Sequence, residues 1–246
     1  MTDQHDVTAM FDDIAPRYDF LNHFLSLNID KIWRRKTSKI LAKQHPTTIL
    51  DVATGTADLA LQIAKDNPTA HITGIDLSEK MIHLGMEKVN KLQLGQRIQL
   101  LLANAEALPF PDQHFDAVSC AFGVRNFENL SAGLKEMRRV TKEGSIIALL
   151  EFSKPSSPLI KGPYRFYSKH FLPLAGRIIS GHPNAYNYLP SSIETFAESN
   201  LLAQELTASG LTILHVNSLC GGIANIYECI KKTEPHHNNK TEMAVN

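Results

Sequence analysis

The sequence is poor in cysteine, has a single tryptophan, carries no excess of either charge and contains no long apolar run. The three cysteines (Cys120, Cys220 and Cys229) are far apart and form no Cys-x-x-Cys pair. That excludes a disulfide framework and a zinc knuckle and predicts buried free thiols in a reducing compartment. No segment approaches the ~18 consecutive apolar residues of a membrane span. The strongest, IIALLEF from Ile146, is strand-sized. The opening residues MTDQHDVTAM lack a basic region followed by an apolar one, so no secretory signal is expected. The expected location is cytoplasmic, with any membrane contact peripheral and from the inner face. Lys+Arg and Asp+Glu each total 25, for a formal net charge of +0, which argues against a nucleic-acid partner. His236 and His237 are adjacent in a tail without periodicity, so no metal site is expected.

What remains is an ordinary soluble composition, 43% apolar and 20% charged over 246 residues, enough for one domain with a full core. From Ile49 onward, short β-branched runs alternate with amphipathic stretches. The strands expected are Ile49–Val52, His71–Asp76, Ile98–Ala103, Asp116–Phe122 and Ser145–Phe152. Between them, Leu59, Ala60, Ile63 and Ala64 share one helical face. Ser78 is an N-cap for a helix burying Ile82, Met86 and Val89, and Leu130, Leu134, Met137 and Val140 form a third apolar stripe. Nearly continuous apolar strands separated by helices predict a doubly wound, mostly parallel α/β sheet. LTILHVNSL and GGIANIYECI, broken at Cys220–Gly221, read as an antiparallel pair after a helix near Ile193–Ser209. The expected domain is residues 1–232, with a helical N-terminal cap over 1–46, a lid-like insert over 156–190, and a disordered tail over 233–246.

Ligands of such sheets bind at the carboxyl ends of the strands. The first strand opens into DVATGTADLA (Asp51 to Ala60), where Gly55 permits a turn and a close ligand approach. Asp76 ends the second strand, where a carboxylate can accept from both ribose hydroxyls of an adenosine. Asn104 can pair with an adenine edge, and the small Ala105 leaves room for the ring. A nicotinamide dinucleotide would need Gly-x-Gly-x-x-Gly around its pyrophosphate, and only Gly55 is present. Tyr227 and Lys231 have the dehydrogenase spacing but fall in a strand. S-adenosylmethionine, with a sulfonium and no phosphate, suits acids such as Asp51 and Asp58 better than a phosphate cradle. The bland reading of Asp51, Asp58 and Asp76 is helix capping and turns.

With these blocks, FDDIAPRYDFLN (Phe11 to Asn22), NAEALPFPDQHFD (Asn104 to Asp116), FGVRNFEN (Phe122 to Asn129) and LLEFSKP (Leu149 to Pro155), the chain resembles the quinone-biosynthesis C-methyltransferases from about Val7 to Lys231. Some members methylate demethylmenaquinol and others a ubiquinol precursor. The resemblance implies a seven-stranded class I S-adenosylmethionine-dependent methyltransferase sheet and a prenylated quinol acceptor. It implies cofactor contacts at Thr56, Asp76, Asn104 and Ala105, with Asp51 and Gly55 in the same loop. Thr54 and Ala57 stand where the family often has glycine. A non-catalytic binding or RNA-associated protein is the third reading, disfavoured by the zero charge.

Methyl transfer to a ring carbon needs an ionised ortho hydroxyl, and a phenol titrates near ~10 until a cation lowers it. Arg125, always charged, is the expected partner of that oxygen. Asn126 is placed to hold the second hydroxyl and Tyr18 to close over the site. Alternatively Arg125 pairs with Glu128 or Asp116, and Tyr18 packs in the core. The aromatic, basic run Tyr164, Arg165, Phe166, Tyr167, Lys169 and Phe171, with Trp33 and Arg34 to Lys36, reads either as an interfacial membrane contact or as a lid or homodimer surface.

Overall fold

Residues that alternate between two apolar faces make the centre of this protein. Ile49, Ile146, Ala148 and Leu150 point to one core layer, while Leu50, Val52, Ile147 and Leu149 point to the other, the period of two that a sheet covered on both sides requires. The structure, a computed structural model, describes residues 4–155, 157–167, 192–193, 195–196 and 201–231. Its elements in chain order are α1 (Gln4–Leu25), α2 (Ile29–Ala42), β1 (Thr48–Val52), α3 (Asp58–Asp66), β2 (His71–Asp76), α4 (Glu79–Lys91), β3 (Ile98–Leu102) and β4 (Phe115–Ala121). After a 3-10 turn at Val124–Asn126 come α5 (Leu130–Val140), β5 (Thr141–Phe152), α6 (Pro158–Phe166), α7 (Leu201–Ala208), β6 (Leu211–Leu219) and β7 (Ala224–Lys231).

The sheet has seven strands in the order β3-β2-β1-β4-β5-β7-β6. The first five are parallel to their neighbours and β7 is antiparallel to both β5 and β6, as the apolar pattern predicts. The α2, α3 and α4 stripes cover one face, and α5 and α7 the other. Leu134, Met137 and Val140 of α5 are fully buried, contributing about 1.5–3 kcal/mol apiece. Val52 pairs with Ile75 and Cys120, so the ends of β1, β2 and β4 lie level, and the loops following them share one rim.

Local details depart from expectation. Ser78 does cap α4, its Oγ accepting from the Met81 N–H at 3.1 Å, but Met86 is 42% exposed and Gly85 takes the inward position instead. There a Cβ would meet Leu100 at 2.7 Å. Strand β5 starts at Thr141, directly after α5, with an irregular register against β4. Cys220 is exposed, in a turn of positive φ with Gly221 and Gly222, while Cys120 and Cys229 are buried. Trp33 and Arg34, expected in a membrane contact or in a lid or dimer surface, are buried, because that face of α2 packs on the sheet. Lys169, Phe171, most of the 156–190 insert and the 233–246 tail lie outside the described residues.

Candidate active site

The loop from Ala53 to Ala57 carries β1 into α3, with Ala53, Gly55 and Ala57 at φ of 52°, 56° and 68°. Alanine in the left-handed region costs about 1–2 kcal/mol, and the hydrogen bonds around the turn offset it. The Thr54 N–H donates to the Ile75 carbonyl at 2.8 Å, and the Ala57 N–H to that of Thr54 at 3.0 Å. The Thr54 Oγ1 donates to Asp51 at 2.7 Å. Nothing stands within 4 Å of where a Cβ on Gly55 would lie, so that glycine opens onto free space.

Asp76 sits beside this turn at the end of β2. Its Oδ2 accepts from the Gly55 N–H at 2.8 Å and its Oδ1 from the Ser78 N–H at 3.0 Å. Burial raises its pKa against those two bonds. Each oxygen keeps a second lone pair, which is what two vicinal hydroxyls of a sugar need. Past β3, the Asn104 Oδ1 accepts from the Glu106 N–H at 2.8 Å, which fixes the amide and leaves its NH2 as the group to donate.

These residues wall a cleft, partly open to solvent, together with Ala105, Met81, Phe122, Phe127, Asn126 and, from α1, Tyr18 and Phe11. Helix α1 closes one side and is tied down by polar contacts. The Ser78 Oγ donates to Asp12 at 2.5 Å, the Thr56 Oγ1 to Asp19 at 2.5 Å, and the Lys88 Nζ lies 2.5 Å from Asp19 and 2.6 Å from Asp58.

Residues 1–231 match the sequence model of the ubiE/COQ5 methyltransferase family. The chain belongs to that family. It is 42% identical to the demethylmenaquinone methyltransferase of Porphyromonas gingivalis, over 92% of each chain. It is 44% identical to the ubiquinone/menaquinone biosynthesis C-methyltransferase UbiE of Geotalea uraniireducens, over 90% of this chain and 94% of that one. Among solved structures it is similar to the [4+2]-cyclase SpnF, with a TM-score of 0.71, 17% identity and coverage of 95% and 98%. That likeness speaks for the fold alone.

Of the residues the family resemblance points to, Gly55, Asp76, Asn104, Ala105, Asn126 and Tyr18 all face the cleft. Asp51, Thr56 and Arg125 do not line it. Asp51 is buried under the loop, accepting from Thr54 and, at 2.7 Å, from the Ser119 Oγ; burial lifts its pKa to about 6. Thr56 is turned to Asp19 and Lys88, whose Nζ donates to its hydroxyl at 2.9 Å. Asp58, also expected near the cofactor, is paired with Lys88 and lies 3.4 Å from the His23 Nε2. The acids expected to greet a cationic ligand thus stand behind the wall, in pairs of their own.

Arg125 is almost fully buried, and its ion-pair partner is neither Glu128 nor Asp116 but Glu151, at 2.9 Å. It also donates to the Phe122 carbonyl and lies over the Phe152 ring at 5.5 Å. Its charge still reaches the cleft. The Tyr18 phenol has its pKa raised by burial and pulled back by Arg34 and Arg125. Phe122 and Phe152 stack at 4.4 Å, and Arg34 lies over Phe122 at 5.3 Å. The order is therefore cation, ring, ring, cation. The sequence names Arg125 but gives no sign of this layering, since its members come from α2 and from the ends of β4 and β5. Phe11, Met81 and Phe127 were likewise missed as cleft residues. His23, Asp30 and Asp58 could group around a cation, but Arg34, 3.6 Å from Asp30, and Lys88 already supply positive charge there.

Proposed function

We propose that the protein transfers a methyl group from S-adenosylmethionine to a ring carbon of demethylmenaquinol, giving menaquinol. The observation that carries this reading is the family match over residues 1–231, joined to relatives named for that reaction at about 42% identity over nine-tenths of the chain. The cleft fits the donor. Gly55 opens a cradle that any side chain would fill, Asp76 is set for a ribose, and Asn104 with Ala105 for an adenine. Tyr18, Phe11, Phe122 and Phe127 supply aromatic faces suited to a cation. When bound, the donor supplies an electrophilic methyl on a sulfonium.

The protein's share is positioning and charge. The cleft holds the acceptor carbon about 3–3.5 Å from the methyl, in line with the breaking bond. Asn126 and Tyr18 hold the hydroxyls, and Arg125 acts through its field, favouring the phenolate without touching it. The acceptor is the reduced quinol, because an electron-poor quinone does not attack a sulfonium. A prenyl tail places the acceptor in a bilayer. The stacked Phe20 and Phe24 on α1, 60% and 42% exposed, favour peripheral membrane contact, which vesicle flotation tests. A homodimer is equally consistent with such a face, and light scattering distinguishes it.

No helix among the described residues is long and apolar enough to cross a membrane. The second reading, methylation of a 2-methoxy-6-polyprenyl-benzoquinol, draws on the UbiE-named relatives. Labelled S-adenosylmethionine with each reduced acceptor separates them. Label is expected in the naphthoquinol; label in the benzoquinol alone replaces the first reading with the second, and label in neither ends both.

A further inference from the structure

Arg34 is a buried cation with donors to spare. It is 8% exposed, and its Nε and Nη1 are buried without a hydrogen-bond partner. The ion pair it makes among the described residues is loose: Nη1 stands 3.6 Å from the Asp30 Oδ2. That carboxylate is already engaged, with the His23 Nδ1 at 2.9 Å and the Ser26 Oγ donating at 2.6 Å. A buried charged donor left unpaired is costly, which marks Arg34 as a candidate to meet an incoming acceptor.

The place of the guanidinium narrows what that acceptor is. It lies over Phe122, which lines the cleft, and its charge is felt by Tyr18, which lines it too, and by Asp51 and Asp58, which bracket the β1–α3 loop. Arg34 therefore adjoins the cleft at the end where that loop turns. Other cations nearby have close carboxylate partners: Lys88 has Asp19 and Asp58 at 2.5 and 2.6 Å, and Arg125, whose Nε also lacks a hydrogen-bond partner, has Glu151 at 2.9 Å. Asp76, assigned above to the ribose, is bonded through Oδ2 to Gly55 of this same turn, so a donor held there would have its amino-acid arm within reach of the turn.

We propose that Arg34 receives the α-carboxylate of the methyl donor, an inference that rests on the donor assigned above. The planar guanidinium suits a carboxylate, and the bond would be charge-assisted. Protein atoms now cover its free nitrogens, so binding requires the Arg34 side chain to swing or α1 to shift over the cleft. The same charge would discriminate against a donor lacking the carboxylate, whose arm carries only positive charge.

Calorimetry with three probes tests this: S-adenosylmethionine, decarboxylated S-adenosylmethionine and 5′-methylthioadenosine, which lacks the arm. The wild type is expected to prefer the intact donor over the decarboxylated one by about ten- to hundredfold, the range of a charged hydrogen bond. Arg34→Met is expected to erase that preference while binding 5′-methylthioadenosine within about twofold of the wild type. Arg34→Lys, which keeps the charge but not the planar fork, should lose part of the preference, and it decides the matter if circular dichroism shows that Arg34→Met is unfolded. Equal wild-type affinity for the first two probes overturns the proposal. So does a variant that weakens all three probes by one factor, or one that leaves the preference intact, as it would if Arg34 served the acceptor. If the wild type binds none of the three, the donor assignment itself falls and takes this inference with it.

Discussion

Replacing Asp51 with asparagine should stabilise the free protein above neutral pH and leave it unchanged in acid. The carboxyl is buried beneath the β1–α3 loop, with Oδ2 accepting from Thr54 and Oδ1 from Ser119. Burial raises its pKa from 3.8 to about 6, against the pull of those two hydroxyls and of Arg34. A group whose pKa is higher in the folded chain binds protons more tightly there, so it favours folding while protonated. The contribution is complete below about pH 4 and is lost as the pH rises through about 6. At about 1.4 kcal/mol for each tenfold change, the loss amounts to about 3 kcal/mol by pH 8.

An asparagine has no charge to bury. Its carbonyl can accept from one hydroxyl while its NH2 donates to the other, since a hydroxyl serves in either role. The stability of Asp51→Asn relative to the wild type is therefore expected to grow from about 1 kcal/mol at pH 4.5 to about 3 kcal/mol at pH 8, with its midpoint near pH 5, between the unfolded and folded pKa values. Urea unfolding followed by fluorescence reads this directly, because Trp33 is the sole tryptophan and is buried. A difference that stays flat between pH 5 and 8 would refute the reasoning: the carboxylate would then be as comfortable in the fold as in water. The comparison with the variant is essential, because Asp76 is shifted in the same direction.

Two further outcomes follow from the site. Asp76→Ala removes the acceptor of the Gly55 and Ser78 N–H groups and both ribose contacts; two charged hydrogen bonds at about 1.5–3 kcal/mol each predict at least a hundredfold loss of S-adenosylhomocysteine affinity by calorimetry. Arg125→Met strands the buried Glu151 and should cost about 3–5 kcal/mol in urea unfolding. Adding Glu151→Gln should recover most of that stability while turnover stays low, and a double variant with wild-type turnover would remove Arg125 from the chemistry.

The sheet was legible because its strands advertise themselves: HITGID and its neighbours are short, apolar and bounded by turn residues, and each forms where expected. Asp76 and Asn104 were legible for a related reason, since the position just past a parallel strand is fixed by the strand. The fates of Asp51 and Arg125 were not, because their partners are distant in sequence. Ser119 reaches Asp51 from a neighbouring strand, and Glu151 reaches Arg125 because β4 and β5 pair Ala121 with Leu150. One signal was available. FGVRN and LLEFSKP both follow or end adjacent strands, so the acid of one block stands near the arginine of the other. Arg34 gave none; on α2 it reads as part of a basic exposed run, and only the packing of Trp33 against Phe122 and Phe152 turns it inward.

The layering of Arg34, Phe122, Phe152 and Arg125 gives this cleft its electrostatic character. Two like charges in one small volume repel, and the stacked rings separate them while offering each a negative face. Their counter-charges are unequal. Arg125 has a close, buried glutamate, whereas Arg34 shares an aspartate that two other groups already hold. Asp76 lines the cleft as well, so the two arginines temper the field there and do not reverse it: burial and Asp76 raise the Tyr18 pKa while Arg34 and Arg125 pull it back. A quinol hydroxyl held beside Tyr18 would feel the same pull toward its anionic form. Arg125, held between Glu151 and the Phe152 ring, supplies that pull without reorganising as the phenolate forms, whereas Arg34 is the cation left to answer the donor.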